Sequence, residues 1–287
     1  MNTLTEQQSL RFEVSDNAIV TLWLDGGGRP VVVLDRNLIH RLNTTLDEIE
    51  ALTNIKGLML KSDCERVFVA GADLAEIDEL DDHGLHGYLA FGTTVFTRIT
   101  NLPYPTVALI NGAALGGGLE IAMHCQGIIA STANAREKPY LIGLPEAGLG
   151  ICPGWGGTQM LPARINPVAA LRAISTGTPF MSNELPQGLC AVIVESIDEL
   201  DNAGLEWLAA QEKPKECLIS INNSETFTNA ANVELKPSEA ANAVLLAYKT
   251  GVEQGYAAGV SIEQCELVKL RHTPTARQRL EAFLSKG

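Results

Sequence analysis

The feature that most constrains this chain is a glycine-rich segment, residues 111–120, which reads Asn-Gly-Ala-Ala-Leu-Gly-Gly-Gly-Leu-Glu. It follows a short apolar run, residues 106–110, that is typical of a buried strand. Three consecutive glycines allow other groups to approach the backbone closely, and they predict a turn into a helix that begins near Leu119. Free N–H groups at that helix start would lie beside the Glu120 carboxyl, an arrangement that can stabilise an oxyanion and move a proton.

A second acid lies in a Gly/Pro-rich loop, at Glu146 in the segment Gly-Leu-Pro-Glu. Two facing carboxyl groups can share one proton when their common surroundings raise a pKa. Glu120 and Glu146 are therefore predicted to form an acid/base pair. The sequence on these grounds predicts an enzyme.

The rest of the pattern predicts an α/β fold, because strands alternate with helices, usually with two strands for each helix. A predicted α/β core covers residues 1–210, and a predicted helical module covers residues 211–287, with a polar connection at 211–237. The expected strands are 18–24, 57–60, 67–70, 106–110 and 127–130. The expected helical stretches are 36–49, most of 85–101, 161–188, 238–254, 261–271 and 275–284.

Composition narrows the class of protein. A hydrophobic share of 46% fits a compact globular chain, and a net charge of −13 argues against a nucleic-acid or anionic-membrane partner. The N-terminal residues lack the pattern of an export signal, and the best apolar run is too short to span a bilayer. The six cysteines form no Cys-x-x-Cys pair, so we expect reduced thiols, no metal site and a cytoplasmic location.

Three segments, taken in order, resemble the enoyl-CoA hydratase/isomerase (crotonase) superfamily. They are residues 68–74 (Phe-Val-Ala-Gly-Ala-Asp-Leu), residues 111–120, and residues 143–159, which contain Gly-Leu-Pro-Glu and Pro-Gly-Trp-Gly-Gly-Thr-Gln. The C-terminal stretch, residues 236–283, is also similar to the hydratase portion of multifunctional fatty-acid oxidation proteins. The resemblance covers nearly the whole chain.

The resemblance implies a spiral of ββα units followed by a C-terminal helical module that builds a homotrimer or a dimer of trimers. It implies an acyl-CoA thioester as substrate, no further cofactor and no metal, and a thioester enolate stabilised by two backbone N–H groups. For Asp73, the residue itself favours a structural role as the cap of the turn that follows it, from Leu74 onwards. The residues carried over by motif are Glu120 and Glu146 as catalytic acids, Ala72 and Gly117 as oxyanion-hole donors, and Ala70, Asp73, Leu74 and Gly116 as substrate-binding positions.

The leading functional hypothesis is hydration of a trans-2-enoyl-CoA, with Glu120 deprotonating water and Glu146 protonating the α-carbon. A 3-enoyl-CoA to 2-enoyl-CoA isomerase needs only one carboxylate and remains an alternative, as does another acyl-CoA lyase or hydrolase. A different class is a non-catalytic or RNA-binding member. The net charge of −13 and the presence of both acids count against that class.

An acidic protein that binds CoA needs local positive charge. Residues 269–287 hold five Lys or Arg and one acid, which predicts contact with phosphates, a subunit interface or a solvated helix face. Arg29 and Arg36 are further candidates for the nucleotide end. Glu146 follows Glu120 by 26 residues, a longer gap than the resemblance implies, and the polar piece 134–140 could either lengthen a hairpin or reshape access for the acyl chain.

Overall fold

The computed structural model of the protein describes residues 9–212 and 218–285. The strands, in chain order, are β1 (Phe12–Val14), β2 (Ile19–Leu24), β3 (Gly57–Ser62), β4 (Val67–Val69), β5 (Thr106–Ile110), β6 (Ala113–Leu115), β7 (Gly127–Ser131), β8 (Leu141–Gly143), β9 (Phe180–Met181) and β10 (Val192–Val194). The helices are α1 (Arg36–Glu50), α2 (Leu74–Glu79), α3 (Asp82–Asn101), α4 (Gly117–Met123), α5 (Gly157–Arg164), α6 (Pro167–Thr176), α7 (Leu200–Ala209), α8 (Glu225–Ala230), α9 (Glu239–Gln254), α10 (Tyr256–Leu270) and α11 (Pro274–Leu284).

Two sheets form the framework. The larger has the order β1-β2-β3-β5-β7-β10 and is parallel except for the β1–β2 edge pair. All five residues of β5 and of β7 are buried, as expected of parallel strands that are covered on both faces. The smaller sheet has the order β4-β6-β8-β9, with β9 antiparallel to β8.

A repeating path links the sheets. β3, β5 and β7 lie in the larger sheet, and each is followed by a strand of the smaller sheet, β4, β6 or β8. A helix or a 3-10 turn then returns the chain, namely α2, α4 or the turn Glu146–Leu149. These are the predicted ββα units. The ends of the smaller strands therefore place successive loops side by side.

The C-terminal helices pack on this framework. Buried residues of α9 and α10, including Val244, Tyr248 and Leu267, belong to the same hydrophobic cluster as Leu22 and Ile110 of the larger sheet. Burial of such side chains stabilises the fold by roughly 1.5–3 kcal/mol each. The domain boundary near residue 210 stays a prediction.

Most of the predicted elements are confirmed. Asp35 caps α1 through Leu38 N, and Ser238 caps α9 through Ala241 N. Within the predicted helical stretch 161–188, the structure has a short strand, β9, so that part of the prediction is wrong. α4 begins at Gly117 and α10 at Tyr256, both earlier than predicted, because glycine positions rather than capping side chains precede them.

Three remaining features of the chain are a buried histidine, the cysteines and its capacity to span a membrane. His124 is buried and its ring contacts the Thr100 hydroxyl, and burial lowers the pKa of His124 to about 4. Five of the six cysteines are free thiols, and Cys217 lies outside the described residues. Across residues 9–212 and 218–285, we find no helix with the length and apolar character needed to cross a membrane.

Candidate active site

A cavity of about 420 Å³ opens where the loops after β4, β6 and β8 meet. This volume is in the range of small-molecule sites. The wall is mostly apolar and includes Leu89, Leu115 and Ile151. The eight site residues predicted from the sequence all line it: Ala70, Ala72, Asp73, Leu74, Gly116, Gly117, Glu120 and Glu146.

Two backbone amides in the cavity wall, those of Ala72 and Gly117, have no hydrogen-bond acceptor within the described parts of the chain. The first is fixed by the backbone of Leu34, which accepts from Asp73 N and donates to Gly71 O. The second opens α4, so the positive end of that short helix adds to its donor strength. Both amides are available to an acceptor in the cavity.

The backbone around Gly117 leaves no room for larger residues. A Cβ on Gly117 would lie 2.4 Å from the Trp155 ring, and a Cβ on Gly116 would lie 2.6 Å from Glu146 Oε1. Gly116 also has a φ of 53°, which favours glycine. The triple glycine therefore lets Trp155 and Glu146 pack directly against the backbone beside the open amide.

Glu120 is buried, and its carboxylate is held in place. Its Oε1 accepts from Trp155 N and from Gly157 N, each at 2.8 Å. Burial raises the pKa of Glu120 well above its ordinary value, and the charges of Glu263 and Glu146 raise it further, while the two amides oppose the rise. The side chain is oriented and has a high affinity for a proton.

Glu146 begins the 3-10 turn and is held differently. Its Oε2 is sealed from solvent and has no partner among the residues that the structure describes. Burial raises the pKa of Glu146 to about 8, with a further contribution from the charge of Glu263. A carboxyl of this kind is readily protonated near neutral pH.

A third buried acid, Glu263 of α10, was not predicted from the sequence. Its Oε1 accepts from Gly156 N at 2.7 Å, and its Oε2 accepts from Thr158 N at 2.9 Å and from the Thr158 hydroxyl. The sequence does contain a signal for the burial of this residue, because Glu263 interrupts the apolar stripe of Val260, Leu267 and Leu270. A charged residue in such a stripe indicates a specific partner in the core.

Asp73 caps α2, as predicted, by accepting from Ala75 N at 2.9 Å and Glu76 N at 3.4 Å. It also lines the cavity and pairs with Arg29, whose guanidinium reaches Asp73 at 2.9 Å and Asp35 at 3.0 Å. Arg29 consequently lies at the cavity edge.

The basic C-terminal end is largely engaged within its own chain. Arg271 is buried and donates to Ile77 O and Leu80 O, so for this residue the predicted solvated face is wrong. Arg279 of α11 donates to Ala147 O and Gly148 O, and Phe283 of the same helix lines the cavity. α11 therefore covers the site of its own chain. Lys286 lies outside the described residues.

The structure also places two other features that were predicted from the sequence, the polar piece 134–140 and Arg36. No residue of the polar piece 134–140 lines the cavity, so within the described chain that piece lengthens the β7–β8 connection without reshaping the site. Arg36 pairs with Glu76 at 3.1 Å.

A wider cleft of about 970 Å³, next to the loop 25–31, shares Arg29 and Val31 with the cavity. The cavity is the better candidate for chemistry, because it holds both acids and both open amides.

Comparison with known proteins gives one consistent result. Residues 28–251 match the model of a family described as enoyl-CoA hydratase/isomerase. The chain is similar to an enoyl-CoA hydratase from Bacillus anthracis, with 26% identity over 97% of each chain and a TM-score of 0.62. It shares its fold with an enoyl-CoA hydratase from Bacillus halodurans, at 24% identity over 96% of this chain and 100% of that one, with a TM-score of 0.69. The human mitochondrial delta3-delta2-enoyl-CoA isomerase has the same fold, at 22% identity over 97% and 98% of the two chains, with a TM-score of 0.70.

Proposed function

The chain belongs to the enoyl-CoA hydratase/isomerase family, and we propose that it hydrates trans-2-enoyl-CoA thioesters to 3-hydroxyacyl-CoA. The predicted resemblance and the crotonase-like α/β fold are thereby confirmed. The family is enzymatic, and the choice of reaction within it is the proposal.

One observation supports the proposal above all others. Two carboxyl groups, of buried Glu120 and half-buried Glu146, face the same cavity as two amides, of Ala72 and Gly117, that have no acceptor in the described chain. Such amides suit a thioester oxygen that gains negative charge, and loss of one donor of this kind typically costs about 3–4 kcal/mol of transition-state stabilisation. The acids suit the proton transfers.

The reaction needs a base and an acid at neighbouring carbons. Glu120, which is oriented by two amides, takes a proton from water as the water oxygen bonds to the β-carbon. The electrons of the double bond pass to the thioester oxygen, where the amides of Ala72 and Gly117 stabilise the enolate. Glu146, with its raised pKa, then donates a proton to the α-carbon.

Double-bond isomerisation is a second candidate, favoured by the free Oε2 of Glu146. Moving a double bond from position 3 to position 2 requires one group that removes a proton from the α-carbon and returns it to the γ-carbon. A single carboxyl with a pKa of about 8 and no fixed partner for Oε2 in the described chain suits both steps.

The CoA moiety fits the side of the cavity marked by Arg29, which borders both the cavity and the wider cleft. Phosphates placed there would compete with Asp35 and Asp73 for its guanidinium. Ala70, Leu74 and Gly116 then serve as substrate contacts. A homotrimer or dimer of trimers, a cytoplasmic location, and the absence of a cofactor, a metal or a nucleic-acid partner stay predictions.

The test is loss of the conjugated-thioester absorbance of crotonyl-CoA and of longer 2-enoyl-CoAs. Wild type is compared with Glu120→Gln and Glu146→Gln, and with Glu253→Gln as a matched control on an exposed part of α9. We expect each active-site variant to lose about 10²–10⁴-fold in kcat, the usual contribution of a general acid or base, and the control to keep wild-type activity.

Two outcomes would change the conclusion. A wild-type protein that is inactive on short, medium and long 2-enoyl-CoAs would reject hydration. A Glu120→Gln variant that loses hydration but still converts 3-enoyl-CoA, while Glu146→Gln loses both reactions, would favour the isomerase.

A further inference from the structure

The loop of residues 155–158, at the start of α5, is shared by two buried carboxylates. Its four successive amides alternate between them: Trp155 N and Gly157 N donate to Glu120, whereas Gly156 N and Thr158 N donate to Glu263. The four N–O distances lie between 2.7 and 2.9 Å, within the normal range of hydrogen bonds. The orientation of Glu120 therefore depends on a loop that a second acid also holds, through the alternate amides.

Glu263 is built into this position by its surroundings. It has no exposed surface, and the Thr158 hydroxyl adds a donor to the same Oε2 that accepts from Thr158 N. The helix around it is fixed to the site by Cys152, whose thiol donates to Glu263 O, and by Gln264, whose amide donates to Gly154 O at 3.1 Å. An exchange of Glu263 for an apolar residue would leave two loop amides unpaired in the core.

Glu263 is absent from the cavity wall, whereas Glu120 and Glu146 line it. It therefore has no route to the substrate and cannot transfer a proton to it. Its influence must pass through the loop or through its charge.

We propose that Glu263 is a positioning residue for the hydration described above. It fixes the carboxylate of Glu120 through the shared loop 155–158. This inference rests on the proposed function for its catalytic meaning. Its structural content, a three-acid cluster with a common loop, does not depend on the reaction.

The charge of Glu263 has a second consequence. The titratable groups that face it are Glu120 from α4, Glu146 from the 3-10 turn, Cys152 from the loop before α5 and Tyr256 from the first turn of α10. No salt bridge or hydrogen bond joins Glu263 to a basic side chain in the described residues. No positive side chain therefore neutralises its negative charge, which raises the pKa of both Glu120 and Glu146. Removal of that charge should make both acids ionise at lower pH.

The first variant is Glu263→Gln, which keeps the size of the side chain but turns one acceptor oxygen into an NH₂ group. We expect kcat for 2-enoyl-CoA hydration to fall about 10- to 100-fold, as a small misplacement of a catalytic group can cause, with less change in KM. The alkaline limb of the kcat profile should move to lower pH. Glu266→Gln is the matched control, because it makes the same substitution three residues further along α10, outside the shared loop.

A second pair of variants keeps the test valid if Glu263→Gln fails to fold. Thr158→Val removes the hydroxyl that donates to Glu263 and accepts from Gln159 Nε2. It weakens the stabilisation of ionised Glu263, so the alkaline limb should move in the same direction by less. Thr158→Ser retains a hydroxyl and should restore the wild-type profile. Thermal unfolding shows whether each variant is folded.

The outcomes distinguish a positioning role of Glu263 from a purely structural one. They also distinguish failure of this proposal from failure of the proposed hydration. A folded Glu263→Gln variant with wild-type kcat, or with a lower kcat and an unmoved pH limb, overturns the proposal. If wild type hydrates no enoyl-CoA, the infrared band of protonated carboxyl groups provides a readout without turnover. That band should disappear at lower pH in Glu263→Gln than in wild type, and equal midpoints would overturn the proposal.

Discussion

The surroundings of Glu120 and Glu146 differ, although both side chains face one cavity. Glu120 lies inside α4, and one of its oxygens accepts from two amides of a loop that is 35 to 37 residues away in sequence. Glu146 starts a 3-10 turn, and its Oε2 has no partner in the described chain. Both carboxyl groups have raised pKa values because burial disfavours their charged forms.

The difference assigns distinct tasks to the two acids. Hydrogen bonds to a carboxylate stabilise its charge and fix its direction, which suits the group that must orient water. A carboxyl with one buried oxygen that no donor reaches is more stable when protonated, which suits the group that delivers a proton. When two acids interact closely, each step of proton loss belongs to the pair and not to one residue. A titration alone therefore does not assign the tasks, and variants of each acid are needed.

The sharpest test of the comparison is a matched shortening of the two acids by one methylene. Glu120→Asp withdraws the carboxylate from Trp155 N and Gly157 N, and we expect a loss of about 100-fold or more in kcat. Glu146→Asp moves a carboxyl whose Oε2 has no partner in the described chain, and a loss of about tenfold is expected. Steady-state hydration assays measure both, and equal losses would contradict the distinction.

Stability provides a second test through the pKa of Glu146. Its folded value of about 8 exceeds the ordinary 4.5, so the folded state binds the proton more tightly than the unfolded state. Stability therefore falls as pH rises from about 4.5 to 8, as the unfolded chain ionises more readily. Glu146→Gln removes this penalty and should stabilise the protein at pH 8 by up to roughly 4 kcal/mol.

The gain from Glu146→Gln should vanish near pH 4, where both states are protonated. Glu120→Gln should show a gain of the same sign, because burial also raises the pKa of Glu120 well above its ordinary value although two amides oppose the rise. Urea unfolding at the two pH values measures the differences. A Glu146→Gln variant with no pH-dependent gain would show that Glu146 titrates normally.

The pH dependence of kcat gives a third prediction. If Glu146 must be protonated to act, each pH unit above its pKa of about 8 lowers the active fraction about tenfold. A profile recorded with 2-enoyl-CoA should show this alkaline limb in wild type. If the residual activity of Glu146→Gln shows the same alkaline limb, that limb belongs to another titratable group.

The smallest effect is expected at Arg279, which donates to Ala147 O at 3.1 Å and Gly148 O at 3.3 Å within the turn that bears Glu146. Arg279→Ala should lower kcat about threefold, which corresponds to the loss of one modest hydrogen bond. Arg172→Ala, an exposed position on α6, serves as the control. A loss as large as that of Glu146→Asp would mean that α11 positions the acid more strongly than these contacts indicate.

The comparison also shows what the sequence could reveal. The framework was predictable because apolar runs such as 106–110 predict buried strands, and Asp35 and Ser238 mark helix starts. The eight cavity residues were found through motifs that are short and contiguous in sequence. Their convergence on one cavity was implied by the resemblance to a known fold, while their individual roles stay proposals.

Other features depend on contacts between distant segments, which a single sequence does not reveal. Glu263 is 105 to 107 residues from the loop it holds, and its helix has an ordinary apolar pattern apart from that one acid. The burial of Arg271 by carbonyl groups of α2 and of the segment after it was equally hidden. Short strands such as β9, with two residues, give too little periodicity for recognition.

The central claim is that one thioester lies between two amides and two acids. A crystal structure with a bound 3-ketoacyl-CoA, which mimics the enolate and resists hydration, tests it most directly. We expect the thioester oxygen about 2.7–3.1 Å from the amides of both Ala72 and Gly117, with Glu120 and Glu146 on either side of the carbons that follow. A ligand whose thioester oxygen contacts neither amide, or whose carbon chain lies away from both acids, would contradict the account.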